Sequence, residues 1–226
     1  MHYPQPWRLA KGSPVTRDDA QPTITDATDP HPGQDAAGLI EWAVSQPGPA
    51  LVTTSFSPFS GVLLHMVTQR RPDMPVLWMD TGYNTPETYR YAEALALRLA
   101  LNLQIVHPRR SRAHREAVEG PVPEPGDPRH EAFSREVKIE PFERALAEMA
   151  PKVWITGIRA EETAERARMQ PVSRSADGLI KVAPLLGWTA RQLHEYLKRH
   201  DLPNNFDYLD PTKVDEHREC GLHLAH

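Results

Sequence analysis

Short apolar segments alternate with amphipathic ones from about residue 50 onward, and this alternation is the strongest constraint on the fold. Five runs rich in β-branched and large apolar residues have the length of buried strands: 50–56, 75–80, 102–106, 153–157 and 179–186. Five further segments show helical spacing: 36–45, 61–70, 86–99, 140–149 and 189–200. Strands that alternate with helices predict an α/β fold with a doubly wound, mainly parallel, Rossmann-like sheet.

Three parts are predicted along the chain of 226 residues, which is long enough for one α/β domain but short for two. Residues 1–34 are rich in Pro, Asp and Thr, and are expected to form an extended or disordered arm. Residues 35–207 are predicted to form the folded domain, and 208–226 a mobile C-terminal tail. Within the domain, the Pro-, Arg- and Gly-rich segment 108–127 is interpreted as a surface loop or lid.

Composition argues against several classes of function. A net charge of −4 gives no general attraction to nucleic acid or to an anionic membrane, so a small substrate is expected. No apolar run approaches the roughly 18 residues of a membrane span, and the N-terminus lacks a secretory pattern, which predicts a cytoplasmic protein. One cysteine is too few for a structural zinc site or an iron–sulfur cluster held by several thiolates.

The single cysteine, Cys220, lies in a charged segment close to the end of the chain. His217 and Arg218 precede it, and Gly221 and His223 follow it. Nearby positive charge favours the thiolate, which is the attacking species in thiol chemistry. An isolated cysteine is also commonly a buried structural residue. The residues alone leave the nucleophilic and the structural interpretation open.

Polar residues follow the first two predicted strands, at the edge of a parallel sheet where ligands bind. Ser55, Phe56 and Ser57 begin a hydroxyl-rich turn before a helix, whose free backbone N–H groups and positive dipole end suit an anion. The same pattern also occurs before ordinary capped helices. Asp80 and Thr81 follow the second strand, where an Asp is either a site residue or a turn former.

A cluster of arginines follows the fourth predicted strand. Gly157 leads into Arg159 and Arg166, and Arg is suited to bidentate contacts with phosphate. Lys138 adds a further positive charge from another part of the chain. The alternative is a solvated helix in which three neighbouring glutamates neutralise the arginines at spacings of three and four.

Taken in order, these blocks resemble the assimilatory phosphoadenylyl-sulfate and adenylyl-sulfate reductases, within the wider group of adenine-nucleotide α-hydrolase-like folds that carry a PP-loop. The most specific block is Glu219–His223 (ECGLH), which resembles the C-terminal signature of that family. The internal blocks are Thr53–Ser57, Asp80–Tyr89, Lys138–Pro141 and Gly157–Arg166. The resemblance extends over 51–223, most of the chain.

The resemblance implies that Cys220 attacks the sulfur of a sulfonucleotide and becomes S-sulfocysteine, with His223 steering or polarising in the tail. Reduced thioredoxin or glutaredoxin then releases sulfite, because the chain has no second cysteine; no bound cofactor is implied. The residues implied to bind substrate are Ser55, Phe56, Ser57, Asp80, Thr81, Lys138, Gly157, Arg159, Arg166 and Arg218.

Two departures from the family pattern refine this expectation. Where the first pair of cluster-binding cysteines is expected, the chain reads Ala132–Arg135 (AFSR), so it resembles the branch without an iron–sulfur cluster, usually specific for 3′-phosphoadenylyl sulfate. The segment before Glu219 is shorter than usual, which keeps adenylyl sulfate as an alternative substrate. An ATP-using PP-loop adenylyltransferase or sulfur-transfer enzyme, and a non-catalytic nucleotide-sensing subunit, are further alternatives. The oligomeric state is open, with a homodimer among the options.

Overall fold

A computed structural model describes residues 35–213, so the predicted arm and residues 214–226 of the predicted tail lie outside the described part. Seven α-helices are found there: α1 (Ala36–Ser45), α2 (Ser60–Arg70), α3 (Pro86–Leu99), α4 (Arg112–Glu119), α5 (Arg129–Ser134), α6 (Glu140–Met149) and α7 (Ala190–Arg199). The six strands of the same region are β1 (Ala50–Thr54), β2 (Pro75–Met79), β3 (Asn102–Val106), β4 (Val153–Ile155), β5 (Val172–Arg174) and β6 (Ile180–Val182). A π-helical turn, Arg135–Ile139, joins α5 to α6.

The strands form one sheet in the order β3-β2-β1-β4-β6-β5. All neighbouring pairs are parallel except β5 and β6, which are antiparallel. The chain begins in the middle of the sheet at β1, extends to one edge through β2 and β3, and then crosses to β4 on the other side. The predicted α/β fold with a doubly wound, mainly parallel sheet is confirmed, and its topological switch point lies between β1 and β4.

Alternate residues of the central strands point to opposite faces of the sheet, as the pleat requires. On one face, Val52 belongs to a core built with residues of α1, α2, α3 and α7. On the other face, Leu51 and Trp154 pack with Phe142 of α6. Both faces are therefore covered by helices, which explains why these strands read as continuous apolar runs and not as alternating ones.

The segment 108–127 is not a loop throughout, because it contains α4. Ser111 caps this helix by accepting a hydrogen bond from the His114 N–H at 3.2 Å, and Arg112 pairs with Glu116 at 2.8 Å. The one buried residue of α4 is Arg115, which lies over the Phe133 ring. Capping and charged contacts stabilise this helix. Its apolar residues are limited to Ala113, Ala117 and Val118, and the loop prediction was wrong because so few and small apolar side chains do not mark a helix.

The far edge of the sheet also differs from prediction. The strand β5 was not predicted, because three residues are too few to show a pattern; it pairs with β6 through a turn that contains Gly178, where φ is +86°. Several predicted strands are shorter in the structure, with β6 limited to 180–182. No helix within residues 35–213 is long and apolar enough to cross a membrane.

Candidate functional site

A cavity of about 280 Å³ lies at the carboxyl ends of β1 and β4. This is the switch point of the sheet, where parallel α/β proteins bind their ligands. Its wall includes residues from the β1–α2 turn, the π-helical turn, the segment after β4 and the segment after α7: Ser55, Ser57, Phe59, Lys138, Gly157, Arg159, Glu162, Arg166, Tyr208, Asp210 and Lys213. Four parts of the chain that are distant in sequence therefore meet at one place.

The β1–α2 turn is held in an uncommon backbone conformation. Phe56 and Phe59 have φ of 50° and 67°, values that cost about 1–3 kcal/mol for residues other than glycine. The Asn205 side chain donates to the Phe56 carbonyl at 2.9 Å, and the Asn204 side chain accepts from the Phe59 N–H at 2.7 Å. Strained turns of this kind persist when neighbouring contacts over-determine them, and they are typical of functional sites.

The backbone donors at the start of α2 already have partners within the protein. The N–H groups of Ser60 and Val62 donate to carbonyls of the turn at 3.1 and 2.9 Å, and that of Gly61 donates to the Tyr91 hydroxyl at 3.2 Å. The expected set of free N–H groups is therefore not found at these three positions. The features of this end of α2 that favour an anion are thus limited to the helix dipole and the serine hydroxyls.

Arg159 and Arg166 both reach the cavity, and both are paired with the same carboxylate. Glu162 accepts from Arg159 at 3.2 Å and also from Arg166. The Arg159 side chain is 13% exposed and that of Arg166 is 9% exposed, so these are not loosely solvated surface charges. The two alternatives for this cluster are thus combined, because glutamate pairs with the arginines while they line a cavity.

Lys138 forms a second ion pair on the cavity wall. Its ammonium donates to Asp210 at 2.5 Å and to the Thr212 hydroxyl at 3.3 Å. Burial by itself raises the pKa of the Asp210 carboxyl, but the charge and hydrogen bond of Lys138, together with two hydrogen bonds from Thr212, lower it to about 2. Asp210 is therefore ionised at neutral pH.

Asp80 lies after β2, in a hydrogen-bond network beside the cavity. Its carboxylate accepts from the Gly82 N–H at 3.0 Å, the Asn84 side chain at 2.9 Å and the Tyr89 hydroxyl at 2.8 Å. Burial and the bond to Asp80 raise the pKa of Tyr89 to about 12, so this hydroxyl remains a donor at neutral pH. In this structure Asp80 is a turn former, and Thr81 borders a small recess that adjoins the cavity.

The structure brings together six of the predicted site residues at the cavity wall: Ser55, Ser57, Lys138, Gly157, Arg159 and Arg166. It places the Phe56 side chain elsewhere, fully buried in the core and edge-on to Trp78 with ring centroids 4.9 Å apart. Arg218, Cys220 and His223 lie outside the described residues.

Two charged residues of the cavity wall, Asp210 and Glu162, were missed by the sequence prediction. Asp210 follows α7 in a segment without a recognisable motif. Glu162 was visible only as a possible partner of the arginines, and not as a residue facing a ligand. Only its spacing from Arg159 and Arg166, three and four residues, signalled a role there.

The described part of the wall carries four cationic side chains, Lys138, Arg159, Arg166 and Lys213, against two carboxylates. Within residues 35–213, Lys213 makes no ion pair. The cavity is thus suited to a small molecule with more than one negative group, held by charge-assisted hydrogen bonds. No group of three or more His, Cys, Asp or Glu residues between 35 and 213 could hold a metal ion; the absence of a cluster stays a prediction.

Comparison with known proteins identifies relatives of this chain. A family model described as the phosphoadenosine phosphosulfate reductase domain matches residues 49–207. A protein of Synechococcus sp. named phosphoadenosine 5′-phosphosulfate reductase is 36% identical over 228 residues, covering 90% of this chain and 98% of that protein. One of the same name from Xanthomonas campestris pv. campestris is 42% identical over 165 residues, covering 73% of this chain and 68% of that protein.

Among solved structures, the phosphoadenylyl-sulfate reductase of Candida auris, in a phosphate complex, superposes with a TM-score of 0.65. The superposition covers 76% of this chain and 83% of that one, at 23% identity, which supports a shared fold. The domain match over most of the described residues and the 36% identity over nearly a full relative lead to one conclusion. The chain belongs to the phosphoadenosine phosphosulfate reductase family.

Proposed function

We propose that this protein reduces 3′-phosphoadenylyl sulfate to sulfite and adenosine 3′,5′-bisphosphate, with a thiol as the source of electrons. Membership of the family makes it an oxidoreductase that acts on a sulfur group. The observation that carries the proposal is the cationic cavity at the switch point, bordered by the segment that leads to Cys220. Relatives with the corresponding name support the choice of substrate.

Substrate binding in this proposal relies on the side chains of the cavity wall. Lys138, Arg159 and Arg166 neutralise the phosphate and sulfate groups, and Arg offers bidentate geometry for these oxygens. Ser55 and Ser57 supply hydroxyl donors at the dipole end of α2. Fixed donors around the reacting group lower the barrier, because they need no reorganisation as charge moves to the leaving phosphate.

The first chemical step is attack by the Cys220 thiolate on the sulfate sulfur. A sulfur–sulfur bond forms, and the bond between that sulfur and the bridging oxygen breaks. The electron pair of the broken bond leaves with adenosine 3′,5′-bisphosphate. The enzyme then carries S-sulfocysteine at Cys220, and His223 and Arg218 are proposed to assist in the tail.

The second step regenerates the enzyme with an external dithiol of the thioredoxin or glutaredoxin type. One of its thiolates attacks Cys220, and sulfite leaves with the electron pair of the sulfur–sulfur bond. The second thiol of the same partner resolves the mixed disulfide, so the dithiol is oxidised to a disulfide and Cys220 is restored as a thiol. An external partner is needed because this chain has one cysteine. The need for a reduced dithiol also supports the cytoplasm as the site of the reaction.

Covalent reach is compatible with this mechanism. Lys213 borders the cavity, and Cys220 follows seven residues later. An extended chain spans at most about 3.6 Å per residue, so the thiol is tethered within about 25 Å of Lys213. That distance exceeds the width of a cavity with a volume of about 280 Å³. The tether therefore permits contact between the thiol and a molecule bound in the cavity.

The proposal is tested by measuring sulfite release with reduced thioredoxin, using 3′-phosphoadenylyl sulfate and adenylyl sulfate in parallel. We expect turnover with a higher kcat/KM for the 3′-phosphorylated nucleotide, and no turnover by Cys220→Ser, which should still bind nucleotide. Sulfite formation by that variant would exclude Cys220 as the nucleophile. A preference for adenylyl sulfate would overturn the choice of substrate and leave the thiol chemistry in place.

The role of the cavity arginines is tested separately with Arg159→Gln and Arg166→Gln. We expect kcat/KM to fall by about 10²-fold or more for each, because a charged contact to the reacting group is lost. Arg168→Gln is the matched control, since Arg168 lies in the same short 3-10 turn as Arg166 but is exposed and does not border the cavity. An equal loss in the control would show that general charge, and not the cavity, determines activity.

A further inference from the structure

The segment that follows α7 is anchored to α5 and to the π-helical turn by four hydrogen bonds. The Lys138 ammonium donates to the Asp210 carboxylate at 2.5 Å and to the Thr212 hydroxyl at 3.3 Å. The Ser134 hydroxyl donates to the Thr212 carbonyl at 3.2 Å, and His130 Nε2 donates to the Pro211 carbonyl at 3.1 Å. Of these four contacts, the one between Lys138 and Asp210 pairs two full charges, and it lies on the wall of the cavity.

The Asp210 carboxylate is surrounded by donors in the way that a bound anion would be. One oxygen accepts from the Thr212 N–H at 3.1 Å and from the Thr212 hydroxyl at 2.6 Å. The other accepts from Lys138. The Asp210 side chain is only 7% exposed and that of Lys138 is 10% exposed, so the pair is shielded from water. A buried charge in this position requires a partner.

Lys138 cannot serve two anions equally well. An ammonium group has three donors, and Asp210 and Thr212 already accept from it. Bringing a phosphate or sulfate to Lys138 while Asp210 stays would place two negative groups beside one cation in a partly desolvated site. Two negative groups that both contact one ammonium lie close together, and like charges repel strongly where water is excluded.

We propose that Asp210 is a built-in competitor of the substrate: it occupies Lys138 in the free protein, and an anionic group of the sulfonucleotide replaces it on binding. This inference rests on the proposed function, because it assumes that the cavity takes a sulfonucleotide. Asp210 acts through Lys138 and is a positioning residue. Since the two states exclude one another, ligand binding at Lys138 also weakens the anchoring of residues 210–212.

The decisive experiment measures the affinity of two probes, adenosine 3′,5′-bisphosphate and inorganic sulfate, by calorimetry. The proteins are the wild-type chain, Asp210→Asn and Asp210→Ala. Asn keeps the shape of the side chain without its charge, and Ala removes the competing group entirely. We expect at least one probe to bind about tenfold or more tightly to both variants, because a charged hydrogen bond no longer has to be broken. If the role of Asp210 is purely structural, both variants should bind the probes more weakly than the wild-type chain.

Asp207→Asn is the matched control, because Asp207 lies three residues earlier, is exposed and does not border the cavity. Its affinity should equal that of the wild type. Wild-type binding of adenosine 3′,5′-bisphosphate without a gain for either probe in the Asp210 variants overturns the inference and leaves the proposed function intact. If no protein in the set binds either probe, the proposed function and this inference both fail.

A second measurement needs no variant and decides the matter if the Asp210 variants do not fold. Amide hydrogen exchange is followed in the wild-type chain with and without saturating adenosine 3′,5′-bisphosphate. The Thr212 N–H, which donates to Asp210, and the Lys213 N–H, which donates to the Asp210 carbonyl at 3.2 Å, should exchange faster when the ligand is bound. Unchanged or slower exchange at both amides overturns the proposal.

Discussion

Replacing Asp210 by Asn is expected to destabilise the protein by an amount that depends on pH. Lys138 and Thr212 hold the pKa of the Asp210 carboxyl at about 2, although burial alone raises it, and the ordinary value is 3.8. The ionised form is thus favoured in the folded state, and at neutral pH this preference contributes about 2 kcal/mol to the free energy of unfolding. Asp210→Asn keeps the side-chain volume and removes that contribution.

The sign of the pH dependence follows from the direction of the shift. A folded-state pKa below the unfolded value means that the stabilisation is fully present above pH 3.8 and is lost as the pH falls toward 2. The difference between the wild type and Asp210→Asn should therefore stay constant from pH 7 to about 5. It should shrink to about half by pH 3.

The assay is urea unfolding followed by tryptophan fluorescence, at several values of pH between 7 and 3. Glu148→Gln, at an exposed side chain with no ion pair within residues 35–213, should show little change at any pH. A loss of the same size at pH 7 and pH 3 would mean that the hydrogen bonds accepted by the Asp210 side chain matter and that its charge does not. If no stability is lost at pH 7, the attraction between Asp210 and Lys138 does not exceed the cost of removing both charges from water. Our account of the site would then be wrong.

Three further perturbations test other parts of the structure. Phe142→Ala should lower the free energy of unfolding by about 3–5 kcal/mol in chemical denaturation, since Phe142 is fully buried against Trp154. Asn205→Ala should raise KM and should lower the free energy of unfolding by about 1–3 kcal/mol in the same assay, because the Phe56 carbonyl of the strained turn loses its donor. An unchanged KM would show that this turn does not contribute to substrate binding. Gly61→Ala should lower the free energy of unfolding by about 1–3 kcal/mol, since the added Cβ would lie 3.2 Å from a tyrosine hydroxyl of α3. An unchanged free energy of unfolding would show that α3 moves to make room for the methyl group.

Local sequence patterns were sufficient for the central sheet. Strands β1, β2 and β3 and helices α1, α3 and α7 lie where apolar runs and helical spacing predict them, because each pattern extends over five or more residues. The same approach failed for α4, whose buried residue is an arginine, and for β5, whose three residues have no periodicity. The main contacts of these two elements, from Arg115 to Phe133 and from β5 to β6, lie outside the elements themselves and leave no periodic pattern in their own residues.

The amino-acid sequence by itself determined the strands and helices of the central sheet, the edge of the sheet where the cavity lies, and the cations Lys138, Arg159 and Arg166 that line it. Only the tertiary structure decided which carboxylate Lys138 meets. Asp210 lies 72 residues after Lys138, and the two are brought together because the segment after α7 packs against α5 and the π-helical turn. Pairing across such a separation depends on the packing of whole elements, whereas periodicity and motifs record only near neighbours.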